Sequence, residues 1–167
     1  TIGLDFTQAV FESVSGWTTT GLSVVDVSKS PNLVLLWRST MQFFGGAGMA
    51  VVLLSVGGGP LGQGFIAAEG RGDQLVPNVR GAARMVAWIY SGYAVVGTLG
   101  YVIAGMTPFE AVNHSFAAIS TGGFSTRPEN IGAWDSPAVE AVSIALMLVG
   151  SFNFQTVFLA LTRRWRA

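Results

Sequence analysis

The chain has 167 residues, 50% of them hydrophobic and only 11% charged, with no net charge and a mean hydropathy of +0.52. A soluble domain carries about 25% charged residues, so the deficit points to a membrane protein, and the balanced charge argues against nucleic-acid binding. The absence of cysteine excludes disulfides and thiolate metal sites but says nothing of redox compartment. Abundant glycine, 22 residues, suits membrane helices. The first residue is Thr, no signal peptide is visible, and the chain opens at once on an apolar segment. It reads as an internal piece of a longer protein.

Phe6 to Trp17 is too short to cross a bilayer, which takes ~20 apolar residues, and its Gln8, Glu12, Ser13 and Ser15 make it a poor span. It is expected to enter the membrane and turn back. Thr18 to Ser23 is then irregular backbone at membrane depth, tolerated only where protein buries it or where it lines a watery cavity. Ser23 to Asn32 is a polar interface loop. Leu33 to Val56 is long enough to cross, with one charge, Arg38, near its start, and Gly45, Gly46 and Gly48 available for close contacts. Gly57 to Arg80, with Glu69, Arg71 and Asp73, is a loop with room for a short surface helix. Met85 to Met106 is an uncharged span. Thr107-Pro108 caps a second short helix, Phe109 to Ala118, followed by the turn Ser120 to Ser125. Arg127 to Pro137 is an interface loop, Ala138 to Leu161 a last span with Glu140 at its start, and Arg163, Arg164 and Arg166 end the chain.

The order short helix, Thr/Gly turn, long helix occurs twice. Thr18-Thr19-Thr20-Gly21-Leu22 returns as Ser120-Thr121-Gly122-Gly123-Phe124, an offset of 123 − 21 = 102. At that offset Ala9 meets Ala111, Val10 meets Val112, Ser13 meets Ser115, Thr19 meets Thr121 and Ser23 meets Ser125. Such a repeat marks one structural unit used twice. If the short segments re-enter, loop 57–84 and the C-terminus share a side that holds six of the nine basic residues: Arg71, Arg80, Arg84, Arg163, Arg164 and Arg166. Positive residues favour the cytoplasm, so both turns open outward. The outer side carries Asp5, Glu12, Asp26, Glu110, Glu129, Asp135 and Glu140 against Lys29, Arg38 and Arg127, an acidic mouth that gathers cations.

A half-depth helix, a Thr/Gly turn and a lining helix make a pore loop. Carbonyls of the turn can replace a cation's hydration shell, Thr hydroxyls can assist, and the helix turns its partly negative C-terminus toward the ion path. The alternative is a pair of turns that only connect helices in a non-conducting assembly module.

The stretches FESVSGWTTTGLS, LLWRSTMQFFGGAGM and FEAVNHSFAAISTGGFST resemble the Trk/Ktr/HKT-type potassium transporters, and among them the TrkH-type membrane subunits, over nearly the whole chain. The resemblance implies an all-α integral membrane fold with four repeats of outer helix, re-entrant pore helix, filter and inner helix around one pore. This chain is similar to the first two repeats without the first outer helix. It would comprise 1–56 as pore helix, filter and inner helix, 57–84 as a cytoplasmic loop, and 85–167 as the second repeat. By the resemblance, Thr18, Thr19, Thr20, Gly21 and Leu22, with Ser120, Thr121, Gly122, Gly123 and Phe124, form two of four selectivity-filter strands. Gly at both filter-glycine positions, Gly21 and Gly123, goes with potassium in this family, whereas Ser at the first goes with sodium; a sodium-permeable cation transporter is the neighbouring alternative. K+ is then the transported ion, with no covalent cofactor. The implied partners are the other two repeats of the full-length chain, a second copy in a homodimer, a cytoplasmic nucleotide-binding regulatory subunit of the TrkA or KtrA type, and membrane lipid, but no nucleic acid. The implied location is the inner (plasma) membrane, with multiple passes. The family's gate lies in the third repeat, so no gate residue is assigned.

Other signals weigh less. Gly57, Gly59 and Gly62 fit GxGxxG, but Pro60 interrupts the helix that motif needs and no acid lies about 20 residues on. His114, the single histidine, is expected to be a packed or hydrogen-bonded pore-helix residue rather than a metal ligand. Glu12 aligns with it at the offset of 102, and both are expected to bond behind the filter. Glu12 and Glu110 are also candidates for a cation-attracting ring, with a helix-start role for Glu110 equally open. Arg38 is expected to pair with an acid near the outer mouth, which costs less than the alternative of a positive barrier in the pathway. Trp37, Trp88, Trp134 and Trp165 are expected as interfacial anchors, and Arg163 to Arg166 as a topology signal. No Ser-His-Asp constellation or other covalent catalyst is present, so no enzyme is expected.

Overall fold

The computed structural model describes residues 3–57 and 79–151. Most of the expected loop 57–84, the glycines Gly59 and Gly62, the last part of the third span and Arg163 to Arg166 lie outside the described residues. Among those described the chain is helical, with no strand: α1 (Phe6–Trp17), α2 (Asn32–Gly57), α3 (Val79–Ile103), α4 (Pro108–Ile119) and α5 (Pro137–Ser151), plus single 3-10 turns at Val27–Lys29 and Asn130–Trp134. Contacts divide the chain into two compact units.

The first unit comprises residues 1–46 and 91–151. Each of its short helices begins on a capping box. Asp5 accepts from the Gln8 N–H at 2.7 Å while Gln8 Oε1 accepts from the Asp5 N–H at 3.1 Å. Thr107 and Glu110 repeat the arrangement 102 residues later, with Pro108 at the first helical position, where its missing N–H is harmless. α1 matches the expected bounds Phe6–Trp17, and α4 exceeds Phe109–Ala118 by one residue at each end. α4 packs on α5 and donates the Ser115 hydroxyl to the Ala94 carbonyl of α3 at 3.0 Å. It buries Ala111, Ala117 and Ile119 almost completely. α1 buries only Glu12, Ser15 and Gly16, and leaves Phe6, Val10, Phe11, Val14 and Trp17 exposed.

The long helices crowd the ends of the short ones through bare glycines. A Cβ on Gly45 of α2 would collide with the Trp17 carbonyl at the end of α1, and a Cβ on Gly150 of α5 with the Ile119 carbonyl at the end of α4. The two carbonyls are 102 residues apart and the two glycines 150 − 45 = 105, so the repeat persists in packing with three extra residues in the second interface loop.

The second unit comprises 47–90 and 152–167. Its described residues are the last part of α2, with Ala50 buried, and the start of α3, with Met85, Val86, Ile89 and Tyr90 buried and Trp88 exposed.

Two expected boundaries shift. α3 begins at Val79, inside the expected loop 57–84, because Val79 to Arg84 contains only one weak helix former, Gly81, beside Ala82, Ala83 and Arg84. It ends at Ile103 rather than Met106 because Gly105 takes φ +106° and the Gly105 and Met106 N–H groups turn back to Val102 and Tyr101 at 3.1 and 3.0 Å, the glycine-closed Schellman stop. Among the described residues, Ala83–Ile103 (21 residues, mean hydropathy 1.4) is the one helix long and apolar enough to cross a membrane, and Pro137–Ser151 is a shorter apolar helix. α2 has the length, but Arg38, Ser39, Thr40 and Gln42 keep its described part from meeting the same measure.

Candidate functional site

Both short helices end in the same backbone geometry. In α1 the Thr19 N–H donates to the Gly16 carbonyl at 3.1 Å and the Thr20 N–H to Ser15 at 3.0 Å. In α4 the Thr121 N–H donates to Ala118 at 3.1 Å and the Gly122 N–H to Ala117 at 2.8 Å. This is the Schellman closure, which places the residue after the cap in the left-handed region and normally uses glycine there. Here that residue is Thr19 (φ 54°) in one copy and Thr121 (φ 52°) in the other. A β-branched residue with positive φ is an outlier, and strain of this kind costs about 1–3 kcal/mol and concentrates at functional sites. Two residues later the chain turns left-handed again, at Gly21 (φ +81°) and Gly123 (φ +80°). The two predicted turns therefore share the sequence left-handed Thr, next residue, left-handed Gly.

The two turns meet. The Gly21 backbone lies so close to the Gly122 carbonyl that a Cβ on Gly21 would collide with it. Gly123 faces open space. Among the described residues, no donor reaches the carbonyls of Thr19, Thr20, Gly21, Thr121 or Gly122, whereas Leu22 O accepts from Ser15 Oγ at 2.5 Å and Gly123 O from Asn130 Nδ2 at 3.1 Å. The Thr18 and Thr20 hydroxyls touch each other at 2.7 Å, and Thr18 Oγ1 also donates to Val14 O. Thr121 Oγ1 donates to Ser120 O. Outside the turns lies an open cavity of about 330 Å³, bordered by Gly21, Ser23, Asp26, Gly123, Ser125 and Asn130 among others.

Behind the turns, Glu12 and His114 hold equivalent places, as expected. Glu12 accepts from Ser23 Oγ at 2.9 Å and from the Val24 N–H at 3.0 Å. His114 Nε2 meets Ser125 Oγ at 3.1 Å, and its Nδ1 meets Glu110 O at 2.9 Å. Serines 23 and 125 are thus both anchored by the residue eleven positions earlier.

Arg38 pairs with an acid, as expected, and that acid is Glu12: Nε donates to Oε1 at 2.6 Å with both side chains buried. Its Nη2 donates to Ser23 Oγ at 2.7 Å, Nη1 reaches Ser125 O at 3.4 Å, and the guanidinium lies 4.1 Å above the Phe124 ring. Arg127 grips Glu110 Oε1 through Nε at 2.8 Å and Nη2 at 2.7 Å, while Glu110 Oε2 closes the capping box with Thr107. Of the readings open for these acids, the helix-start role of Glu110 is the one observed, and both carboxylates are held by arginines rather than open to cations. Each carboxylate is already neutralised by an arginine, because a buried charge is tolerable only when paired. Trp134 packs edge-on to His114 at 4.9 Å and under Arg127 at 5.0 Å. At the 3-10 turn Val27–Lys29, Asp26 and Lys29 pair at 2.9 Å. The hydrogen bond that Lys29 donates to this carboxylate holds the Asp26 carboxyl below its ordinary pKa and the Lys29 ammonium above.

Sequence reasoning missed what α2 does for the second turn. Ser39 Oγ donates to Asn113 Oδ1 at 2.7 Å, Gln42 Oε1 accepts from the Phe124 N–H at 3.1 Å, and Phe43 stacks on Phe116 at 4.5 Å. Residues 38, 39, 42 and 43 share one helical face. Polar residues at that spacing in an apolar helix are the signal that points to them.

The fold and these turns define an α-helical protein with two copies of one unit, a short helix, a left-handed turn and a long helix, one copy braced on the other. The family model described as TrkH, cation transport protein, matches residues 2–165. The chain belongs to the TrkH family. It is 37% identical to the Trk system potassium uptake protein TrkH of Halomonas elongata, over 96% of this chain and 34% of that protein. It is 36% identical to the Trk system potassium uptake protein TrkG of Escherichia coli K12, over 98% of this chain and 35% of that protein. The crystal structure of the potassium transporter TrkH from Vibrio parahaemolyticus superposes with a TM-score of 0.79 at 32% identity, over 96% of this chain and 32% of that one. The chain thus spans about a third of the length of these relatives. The family is one of transporters, not enzymes.

Proposed function

We propose that this chain is part of a potassium uptake pathway and that Thr18–Leu22 and Ser120–Phe124 are two of the strands that select the ion. The observation that carries the reading is the doubled turn, in which a strained left-handed Thr is followed two residues later by a left-handed Gly. Strain kept twice at equivalent positions is a cost that function explains and helix connection does not. The free carbonyls of Thr19, Thr20, Gly21, Thr121 and Gly122 are the groups that can replace the hydration shell of K+. α1 and α4 are the re-entrant pore helices of two repeats, aimed C-terminus first at the ion path. α2 and α5 are the inner helices, and α3 the outer helix of the second repeat. The names of the relatives, potassium uptake proteins in two bacteria, support K+ as the ion.

Two strands cannot encircle an ion, so the further repeats of a longer chain complete the ring. The apolar face of α1 supports this, since Phe6, Val10, Val14, Trp17 and the neighbouring Leu22 are exposed, whereas Phe124, the counterpart of Leu22, is buried under α2. An exposed apolar patch of that extent marks a contact surface. A homodimer, a cytoplasmic nucleotide-binding regulatory subunit of the TrkA or KtrA type, and multi-pass residence in the inner membrane with both turns facing outward belong to the same reading. The test is uptake by the full-length parent in cells lacking other potassium uptake, with potassium, rubidium and sodium offered separately and in competition. Saturable rubidium uptake displaced by potassium and resistant to sodium is expected. Sodium uptake of equal efficiency would assign a sodium-permeable transporter instead, and no cation uptake from protein present in the membrane would leave a non-conducting assembly module.

A further inference from the structure

Gln42 lies in α2 with no exposed surface. Its carboxamide is fixed in orientation, because the Phe124 N–H needs an acceptor and Oε1 supplies it at 3.1 Å. Nε2 has no hydrogen-bond partner among the described residues. A buried donor without a partner is costly and calls for an explanation; an aliphatic side chain would fill the same space without that cost. The same carboxamide lies against Gly122, where a Cβ would sit 2.6 Å from Oε1 and 2.7 Å from Nε2. The Gly122 backbone is outside the left-handed region, so it is Gln42, not backbone strain, that keeps a side chain off this position.

The bond to Phe124 acts on the carbonyl before it. The Gly123 C=O and Phe124 N–H belong to one trans peptide plane and point in opposite directions. Holding the N–H toward α2 turns the Gly123 carbonyl away from α2, where Asn130 Nδ2 meets it at 3.1 Å. Gln42 therefore sets the rotation of this peptide from the first repeat, while Arg38 covers the Phe124 ring from the same helix face. At the equivalent place in the second repeat, 42 + 105 = 147, α5 carries Met147, which is exposed and has no amide to offer.

We propose that Gln42 is a positioning residue that fixes the backbone of Gly122 to Phe124 and so sets how strongly the pathway favours K+ over Na+. The inference rests on the filter reading above. Ion discrimination depends on where the carbonyls stand and how firmly they are held, so a side chain that locks one peptide plane governs selectivity without touching the ion.

The experiment uses the full-length protein in cells and reads the sodium concentration that halves rubidium uptake, with membrane abundance measured in parallel. Gln42→Leu removes the acceptor at similar volume, Gly122→Ala pushes on the carboxamide from the other side, and Gln42→Glu keeps an acceptor. Gly123→Ser serves as the reference for the filter reading. Gln42→Leu and Gly122→Ala are each expected to lower the half-inhibiting sodium concentration about three- to tenfold, the scale of one lost buried hydrogen bond, with maximal uptake per molecule little changed. Gln42→Glu is expected to stay closer to the parent than Gln42→Leu does. If Gln42→Leu does not reach the membrane, Gln42→Met, which also lacks the amide acceptor, decides in its place. Unchanged competition in Gln42→Leu and Gly122→Ala, with a change in Gly123→Ser, would overturn the role of Gln42 and leave the filter reading standing. Unchanged competition in all of them would remove both.

Discussion

Gly21 and Gly123 are equivalent in sequence and in φ, yet the structure predicts unequal responses to Gly→Ser. At Gly123 the added Cβ meets nothing within 4 Å, so the cost is that of placing an L residue at φ +80°, roughly 1–2 kcal/mol. At Gly21 the same cost applies at φ +81°, and the Cβ also collides with the Gly122 carbonyl of the other turn. That carbonyl is backbone and cannot swing aside as a flexible side chain would, so one turn must move. Overpacking of this kind adds about 1–3 kcal/mol, which brings Gly21→Ser to roughly 2–5 kcal/mol and makes it distort both turns at once. Each variant is made in the full-length protein. Sodium competition against rubidium uptake reads discrimination, and thermal melting in detergent reads stability. Gly123→Ser should lose selectivity with modest loss of stability, and Gly21→Ser should lose more of both. A Gly21→Ser protein that is as stable and as selective as Gly123→Ser would mean that the two turns do not touch in the intact protein, and the reasoning fails.

The buried pair Arg38–Glu12, with side chains 3% and 6% exposed, should be costly to break from one side: Arg38→Met is expected to lower stability by about 3–5 kcal/mol, and adding Glu12→Gln should restore at least half of it; melting of the single and double variants decides, and a double variant less stable than Arg38→Met would refute the pairing. Thr19→Gly relieves the left-handed β-branched residue, so it should hold or raise stability by up to about 1 kcal/mol while lowering discrimination, because the turn is held less tightly; a clear loss of stability would show that the Thr19 conformation is not strained. Lys29, whose side chain is 85% exposed, is a better outer reporter than Arg127, which is engaged with Glu110. In intact cells an impermeant thiol reagent should label Lys29→Cys and spare Arg71→Cys, and the reverse pattern would invert the proposed orientation.

The helical elements were legible because their signals are local. Asp5 and Gln8, then Thr107, Pro108 and Glu110, are side chains that satisfy the first turn of a helix from three residues away, so the starts of α1 and α4 can be read without knowing any neighbour. The repeat was legible because equal backbone geometry needs similar residues at equal spacing, and Thr19 with Thr121, and Gly21 with Gly123, keep that spacing. The partners of Glu12 and Glu110 were not legible. Nothing within a single helix distinguishes a carboxylate that greets cations from one already held by an arginine, and Arg38 lies 26 residues from Glu12. The same limit hid Gln42, whose acceptor role depends on Phe124, 82 residues away.

The sequence by itself determined where the two capped short helices start, that glycine at 21 and 123 lets the chain turn where a β-branched residue resists, and that one unit is used twice, since each follows from backbone sterics and capping within a few residues. Only the tertiary structure decided which charges are neutralised, that the Gly21 and Gly122 backbones press together, and that one face of α2 braces the second turn through Arg38, Ser39 and Gln42. Those outcomes depend on the distance between side chains far apart in the chain, and ion pairing, hydrogen bonding and steric exclusion act over a few ångströms of space, whatever the separation in sequence.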